Sequence, residues 1–101
     1  MKIRLVGDKL SVELFRIAGI PGKTAETAET VHENINRFMQ EDGVGIVLVS
    51  SSCAAKLGNE FRTYIQRRKL PLVLRIPDRF RREGDAAEIK EYLQRSLGIR
   101  L

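Results

Sequence analysis

Apolar positions along this chain come in short continuous runs, and between the runs they recur at helical spacing. Ile3, Leu5 and Val6 form a first short strand, and Gly7-Asp8 turn it into a helix from about Ser11 to Ala18, with Ser11 as N-cap. Gly19-Ile20-Pro21-Gly22 stops that helix, and residues 20–24 supply a brief rim strand, since proline and glycine do not suit a central one. From about Ala25 to Glu41, the residues Ala28, Val31, Ile35, Phe38 and Met39 make a helical stripe that Asp42-Gly43 closes. Ile46-Val47-Leu48-Val49 is continuous and rich in β-branched residues, as a strand buried on both faces requires.

Ser50, Ser51 and Ser52 offer N-caps for a second amphipathic helix with Ala54, Leu57, Phe61, Tyr64 and Ile65 on its face. Arg67, Arg68 and Lys69 lie at its carboxyl end, where cations complement the helix dipole, and Pro71 prevents continuation. Leu72 to Ile76 is the next strand, ended by Pro77. A charged loop over residues 78–85 follows, and Asp85 with Glu88 forms a capping box for a last helix bearing Ala86, Ile89, Leu93 and Leu97, which Gly98 ends.

Strands alternating with helices predict an α/β fold: one doubly wound, mostly parallel four-stranded sheet, order 2-1-3-4, with helices on both faces. The expected division is a sheet domain over residues 1–77, the loop 78–85, and a C-terminal helix and tail over 86–101. A chain of 101 residues is enough for one modest core that buries roughly 65% of the extended-chain surface. Hydrophobic content of 43% and charged content of 31% are those of a soluble globular protein. No apolar run approaches the roughly 18 residues of a membrane span, and no leader precedes the first strand, so a cytoplasmic protein without membrane insertion is expected. The net charge of +5 is unevenly placed: residues 1–50 carry six basic and seven acidic groups, residues 51–101 twelve and six.

Doubly wound sheets normally hold a ligand beyond the carboxyl ends of their strands, yet that edge carries few catalytic groups here. Gly22-Lys23-Thr24 ends like a phosphate-binding loop, but the pattern needs glycine where Ile17 stands and a strand before it, where residues 11–18 read as helix. A phosphorylatable receiver domain needs clustered acids at neighbouring strand ends, and only Asp8 is present, opposite Ser50 and Ser51. Asp8 is better placed to cap the first turn. One cysteine, Cys53, and one histidine, His32, cannot make a zinc site. Cys53 at a helix start reads as a small packed residue, and His32, without an acidic or hydroxyl partner evident in the sequence, as a surface residue. Arg67, Arg68, Lys69, Arg75, Arg79, Arg81 and Arg82 could form a basic rim with Phe80 among them, but no nucleic-acid-binding pattern accompanies it. A solvated face or a dock for an acidic partner is the commoner use of such a run. No cofactor, metal or nucleic acid is expected.

Several blocks taken together resemble a family. These are Lys2-Ile3 with Val6-Gly7-Asp8, Phe15 to Ile20, Gly45 to Ser50 with Cys53-Ala54 after it, Pro71 with Val73 and Ile76-Pro77, and Ile89-Lys90 with Leu97-Gly98-Ile99. Their order and spacing along the whole chain resemble the F subunit of the archaeal and vacuolar-type rotary ATPase. The chain departs from that pattern at Leu10, where a second acidic residue is usual, at Leu14, where glycine is usual, and at Ser51-Ser52, where many members have Thr-Glu.

The resemblance implies a non-catalytic component of the central stalk, coupling ATP hydrolysis or synthesis to proton or sodium transport. It implies binding to the coiled-coil central-stalk D subunit, a mobile C-terminal helix that reaches towards the nucleotide-binding subunits, and a cytoplasmic place at the membrane through the complex. On that basis the docking residues are expected to be Asp8, Phe15 and Arg16, the Ser50, Ser51 and Ser52 rim, and Ile89, Leu93 and Leu97 on the last helix. Two rivals stand beside this. One is a receiver-like interaction module without a phosphorylation site, which would bind signalling partners instead of a stalk. The other is a small phosphate-binding protein using Gly22-Lys23-Thr24, which nucleotide would stabilise against heat.

Overall fold

The computed structural model describes residues 1–77 and 86–98. Strand β1 (Lys2–Gly7) leads into helix α1 (Lys9–Ile17), the short strand β2 (Gly22–Thr24) and helix α2 (Ala28–Met39). Strand β3 (Val44–Ser50) runs directly into α3 (Ser51–Leu57), a 3₁₀ turn (Gly58–Glu60) and α4 (Phe61–Ile65). Strand β4 (Leu72–Ile76) and helix α5 (Ala86–Leu97) complete the order. All pairings are parallel and the sheet order is β2-β1-β3-β4, the doubly wound arrangement expected from the alternation of runs.

Every residue of β3 is buried, as its unbroken apolar run requires, and its side chains alternate between two cores. Ile46 and Leu48 join Ile3, Leu5 and Ile76 beneath α1 and α5, where Phe15, Ile20, Ile89 and Leu93 pack. Val47 and Val49 join Val6 and Val73 beneath α2, α3 and α4, where Val31, Ile35, Phe38, Leu57 and Phe61 pack. Val44 would fall on the first face by simple alternation, yet it belongs to the second core. The cause is a register shift: Lys2 pairs with Val44 but Ile3 pairs with Ile46, so β3 carries one extra residue there and its side-chain parity changes.

Three boundaries differ from the sequence expectations. Helix α1 starts at Lys9, with Asp8 in the extended N-cap position, so Ser11 lies inside the first turn. Helix α2 starts at Ala28 because the Thr27 hydroxyl accepts from the Thr30 amide at 3.1 Å, which leaves Ala25 in the preceding loop. The long helix expected after Ser52 is broken in two at Gly58, whose φ of +57° and ψ of −131° suit only glycine. The break turns Phe61 into the core while Ile65, expected on the buried face, stays 48% exposed. The expected Asp85–Glu88 capping box lies outside the described residues.

One ion-pair cluster ties the start of the sheet to the α2–β3 turn. Arg4, on β1, lies 2.8 Å through Nη2 from Glu41 Oε2 and 3.4 Å through Nε from Oε1, with Lys2 Nζ at 3.8 Å from Oε2. The hydrogen bond from Arg4, and then its charge, hold the Glu41 carboxyl below the ordinary carboxylate value. A folded value below the unfolded one stabilises the protein above the unfolded value, and that contribution is lost as pH falls through the folded value.

Thermal melts of wild type and Glu41→Gln across the acid range should therefore differ near neutrality and converge at low pH; a gap that is constant with pH would refute this coupling. Gly58→Ala should cost about 1 kcal/mol or more in urea unfolding, since alanine cannot hold that backbone without strain.

Candidate docking site

In a sheet ordered β2-β1-β3-β4, the crevice where ligands normally settle opens between the carboxyl ends of β1 and β3. Here this chain's own side chains fill it. Gly7 ends β1 and Ser50 ends β3, and a Cβ added at Gly7 would lie 3.3 Å from Ser11 Cβ and 3.5 Å from Ser50 Cβ. Ser11 and Ser50 are 3% and 1% exposed. The Ser11 hydroxyl donates to Asp8 Oδ1, which turns the carboxylate towards the first turn of α1. Ser50 Oγ accepts from the Cys53 amide at 3.4 Å and lies 3.2 Å from Ser52 Oγ, so the serine run caps α3 as its sequence implies. Ser51 Oγ donates to the Ile76 carbonyl at 2.8 Å and ties the end of β4 to the same rim.

Half-exposed Asp8, Ser51 and Ser52 thus form a polar rim over two buried serines. Arg16 is exposed but does not join them. Eight residues along the helix from Asp8, at 1.5 Å of rise each, it stands about 12 Å away towards the other end of the sheet. Phe15, expected at the docking surface, is 1% exposed inside the first core, because it shares the face of α1 that carries Val12 and Leu14 onto the sheet, and Arg16 is turned about 100° away from it. Ser50 is likewise enclosed. Ile89 and Leu93 are fully buried against the sheet and α1, and the Leu97 side chain lies outside the described residues.

Gly22-Lys23-Thr24 is extended and pairs with Leu5, Val6 and Gly7 of β1, so it is an edge strand rather than a loop cradling an anion. Cys53 is fully buried and its thiol donates to the Ala25 carbonyl at 3.5 Å, in keeping with a packed residue. His32 differs from its expectation. It is half-buried, with Nε2 2.7 Å from Glu60 Oε2 and Nδ1 2.9 Å from the Tyr64 hydroxyl, which donates on to Asn36 Oδ1 at 3.4 Å. Burial, ahead of its other influences, pushes the Tyr64 hydroxyl above its ordinary value. These residues staple α2 to the 3₁₀ turn and α4 across a separation of 28 to 32 positions, which no local pattern reveals. Of the expected basic rim, Arg79, Phe80, Arg81 and Arg82 lie outside the described residues.

The domain is thus a doubly wound, nucleotide-type fold in which the chain's own Ser11 and Ser50 close in on the crevice at Gly7, and fold alone does not give its function. Residues 3–94 match the model of the ATP synthase (F/14-kDa) subunit family, and the chain belongs to that family. It is 30% identical over 103 residues to the A-type ATP synthase F subunit of Methanospirillum hungatei, spanning 100% of this chain and 98% of that one. It is 27% identical over 106 residues to the A-type ATP synthase F subunit of Pyrococcus furiosus, with the same shares covered. The corresponding protein of Methanothermobacter thermautotrophicus is 29% identical over 105 residues, covering 98% and 94%. The chain is accordingly an accessory subunit of an ATP synthase and not its catalytic part. Among the described residues no helix is long and apolar enough to cross a membrane.

If the crevice is filled, a larger side chain at Gly7 has no room. Gly7→Val should lower stability by about 1–3 kcal/mol in urea unfolding, the usual cost of overpacking. Wild-type stability in this variant would mean an open pocket instead.

Proposed function

We propose that this protein is the non-catalytic central-stalk, or rotor, subunit of an A-type or V-type ATP synthase. It couples ATP hydrolysis or synthesis in the head to proton or sodium movement across the membrane by turning with the coiled-coil D subunit, on the cytoplasmic side. The observation that carries this is the match to F-subunit relatives along essentially the whole length of both chains. A ligand crevice filled by Gly7, Ser11 and Ser50 supports it, because a rotor element transmits torque through packing and needs rigidity, not a site for turnover.

In this proposal the sheet domain 1–77 is the docking body, residues 78–85 are the connector and the 86–101 helix is the regulatory arm. Asp8, Arg16, Ser51 and Ser52 are the accessible members of the expected docking set, with Phe15 and Ser50 supporting them from beneath. Ile89 and Leu93 hold the arm down on the first core. An arm that reaches the nucleotide-binding subunits must first expose these two side chains, at roughly 1.5–3 kcal/mol each, so its release has to be balanced by new contacts in the head.

Size-exclusion with light scattering, using this chain and the coiled-coil stalk subunit of the same organism, should give a stable one-to-one complex; two separate peaks would remove the stalk assignment. Deleting residues 86–101 in the assembled enzyme should change ATPase rate or coupling, and Ile89→Ala/Leu93→Ala should shift it in the same direction through a loosened arm. Unchanged rate and coupling in both would rule out the arm.

A further inference from the structure

Residues 61–77 contain five cationic side chains, Arg62, Arg67, Arg68, Lys69 and Arg75, and no acidic one. That equals the whole net charge of +5, so the charges of the rest of the chain balance in number. The ion pairs elsewhere, Glu41 with Arg4 and Lys2, Glu60 with His32, and Glu91 with Arg95, leave this segment out. Among the described residues none of the five cations has an acidic partner, and the one side-chain contact is from Arg67 Nη1 to Met39 Sδ at 3.3 Å. Three large apolar side chains stand among them: Ile65 is 48% exposed, Leu70 67% and Leu72 36%.

The placement is specific. Helix α4 packs against β4, and β4 is an outer strand of the sheet, paired on one side to β3. Ile65 therefore ends the helix on one face of the sheet, Leu72 begins the strand with its side chain towards the other, and Leu70 lies in the connection between them. Together they rim one corner of the molecule. Strand addition along β4 is disfavoured by Pro71 and Pro77 at its two ends and exposed Arg75 within it, the devices that blunt an outer strand. What remains is docking through side chains: cations that meet no carboxylate among the described residues for charge, and three apolar groups that lose water only when something covers them.

We infer that this corner, from the end of α4 to β4, is a docking surface for an acidic protein face carrying apolar side chains among its carboxylates. The charge selects the partner, since five cations that meet no carboxylate among the described residues repel one another until an anionic surface neutralises them. The apolar groups select protein over nucleic acid, for which Leu70 and Leu72 offer neither stacking nor hydrogen bonds. The inference rests on the stalk assignment above and adds to the rim at Asp8, Ser51 and Ser52 a second contact region at the outer strand.

The test measures calorimetric affinity between the full chain and the coiled-coil stalk subunit at physiological salt, for wild type, Arg68→Glu/Lys69→Glu, Leu70→Ser and the remote control Lys23→Glu/Lys56→Glu, each checked for unchanged melting. The first two variants should bind at least about tenfold more weakly and the control within about twofold, with wild-type affinity falling as salt is raised. A wild-type complex whose affinity neither variant changes would overturn the inference and leave the stalk assignment standing. No complex with wild type would remove both. Binding of a duplex DNA probe more tightly than the stalk subunit, or self-association that Arg68→Glu/Lys69→Glu abolishes, would also overturn it, because the occupant would then be nucleic acid or a second copy.

Discussion

Strand β3 is the element on which the rest of the structure depends. Seven consecutive residues, Val44 to Ser50, are buried, so neither face of the strand tolerates water and both must be covered by helices. Parallel neighbours follow, because crossover connections carrying helices are what cover both faces of one sheet. The first core collects α1 and α5, and the second collects α2, α3 and α4. Deleting one large side chain at the centre, such as fully buried Leu48, would remove about 2–5 kcal/mol, a large share of what a domain of this size has.

The same geometry decides what the protein does not do with its fold. A doubly wound sheet opens a crevice wherever the direction of winding changes, here between β1 and β3. Gly7 brings β1 close enough to Ser50 and Ser11 to close that space, and Asp8, which could otherwise face a ligand, is occupied as the acceptor for Ser11. Polar groups at the rim serve as caps and ties: Ser50 holds the start of α3 and Ser51 the end of β4. The result is a closely packed sheet edge in an accessory member of the ATP synthase (F/14-kDa) family.

Charge is distributed in the same spirit. Outside residues 61–77 cations and carboxylates balance in number, and Glu41 joins two of the cations, Arg4 and Lys2. The corner from α4 to β4 is different, with cations that meet no carboxylate among the described residues beside exposed Ile65, Leu70 and Leu72. That combination of charge and exposed apolar side chains is what the proposed docking surface rests on.

The fold was legible from the chain alone because periodicity survives any tertiary context. The runs at β1, β3 and β4, the stripe Val31-Ile35-Phe38 and the stripe Ile89-Leu93 were each recoverable, and their alternation dictated a doubly wound sheet in the order found. The block pattern from Lys2-Ile3 to Leu97-Gly98 likewise sufficed for the family. What sequence spacing could not supply was anything set by distance through space or by a single backbone angle. Gly58 broke a helix whose apolar stripe ran on unbroken, because one left-handed residue outweighs a pattern. Phe15 turned inward with Val12 and Leu14 while its neighbour Arg16, about 100° further round the helix, stayed out. His32 found Glu60 and Tyr64 only when the segment after α3 was folded back over α2. Local spacing determined the elements and their order; packing alone decided which polar groups meet and which side chains close in on the crevice.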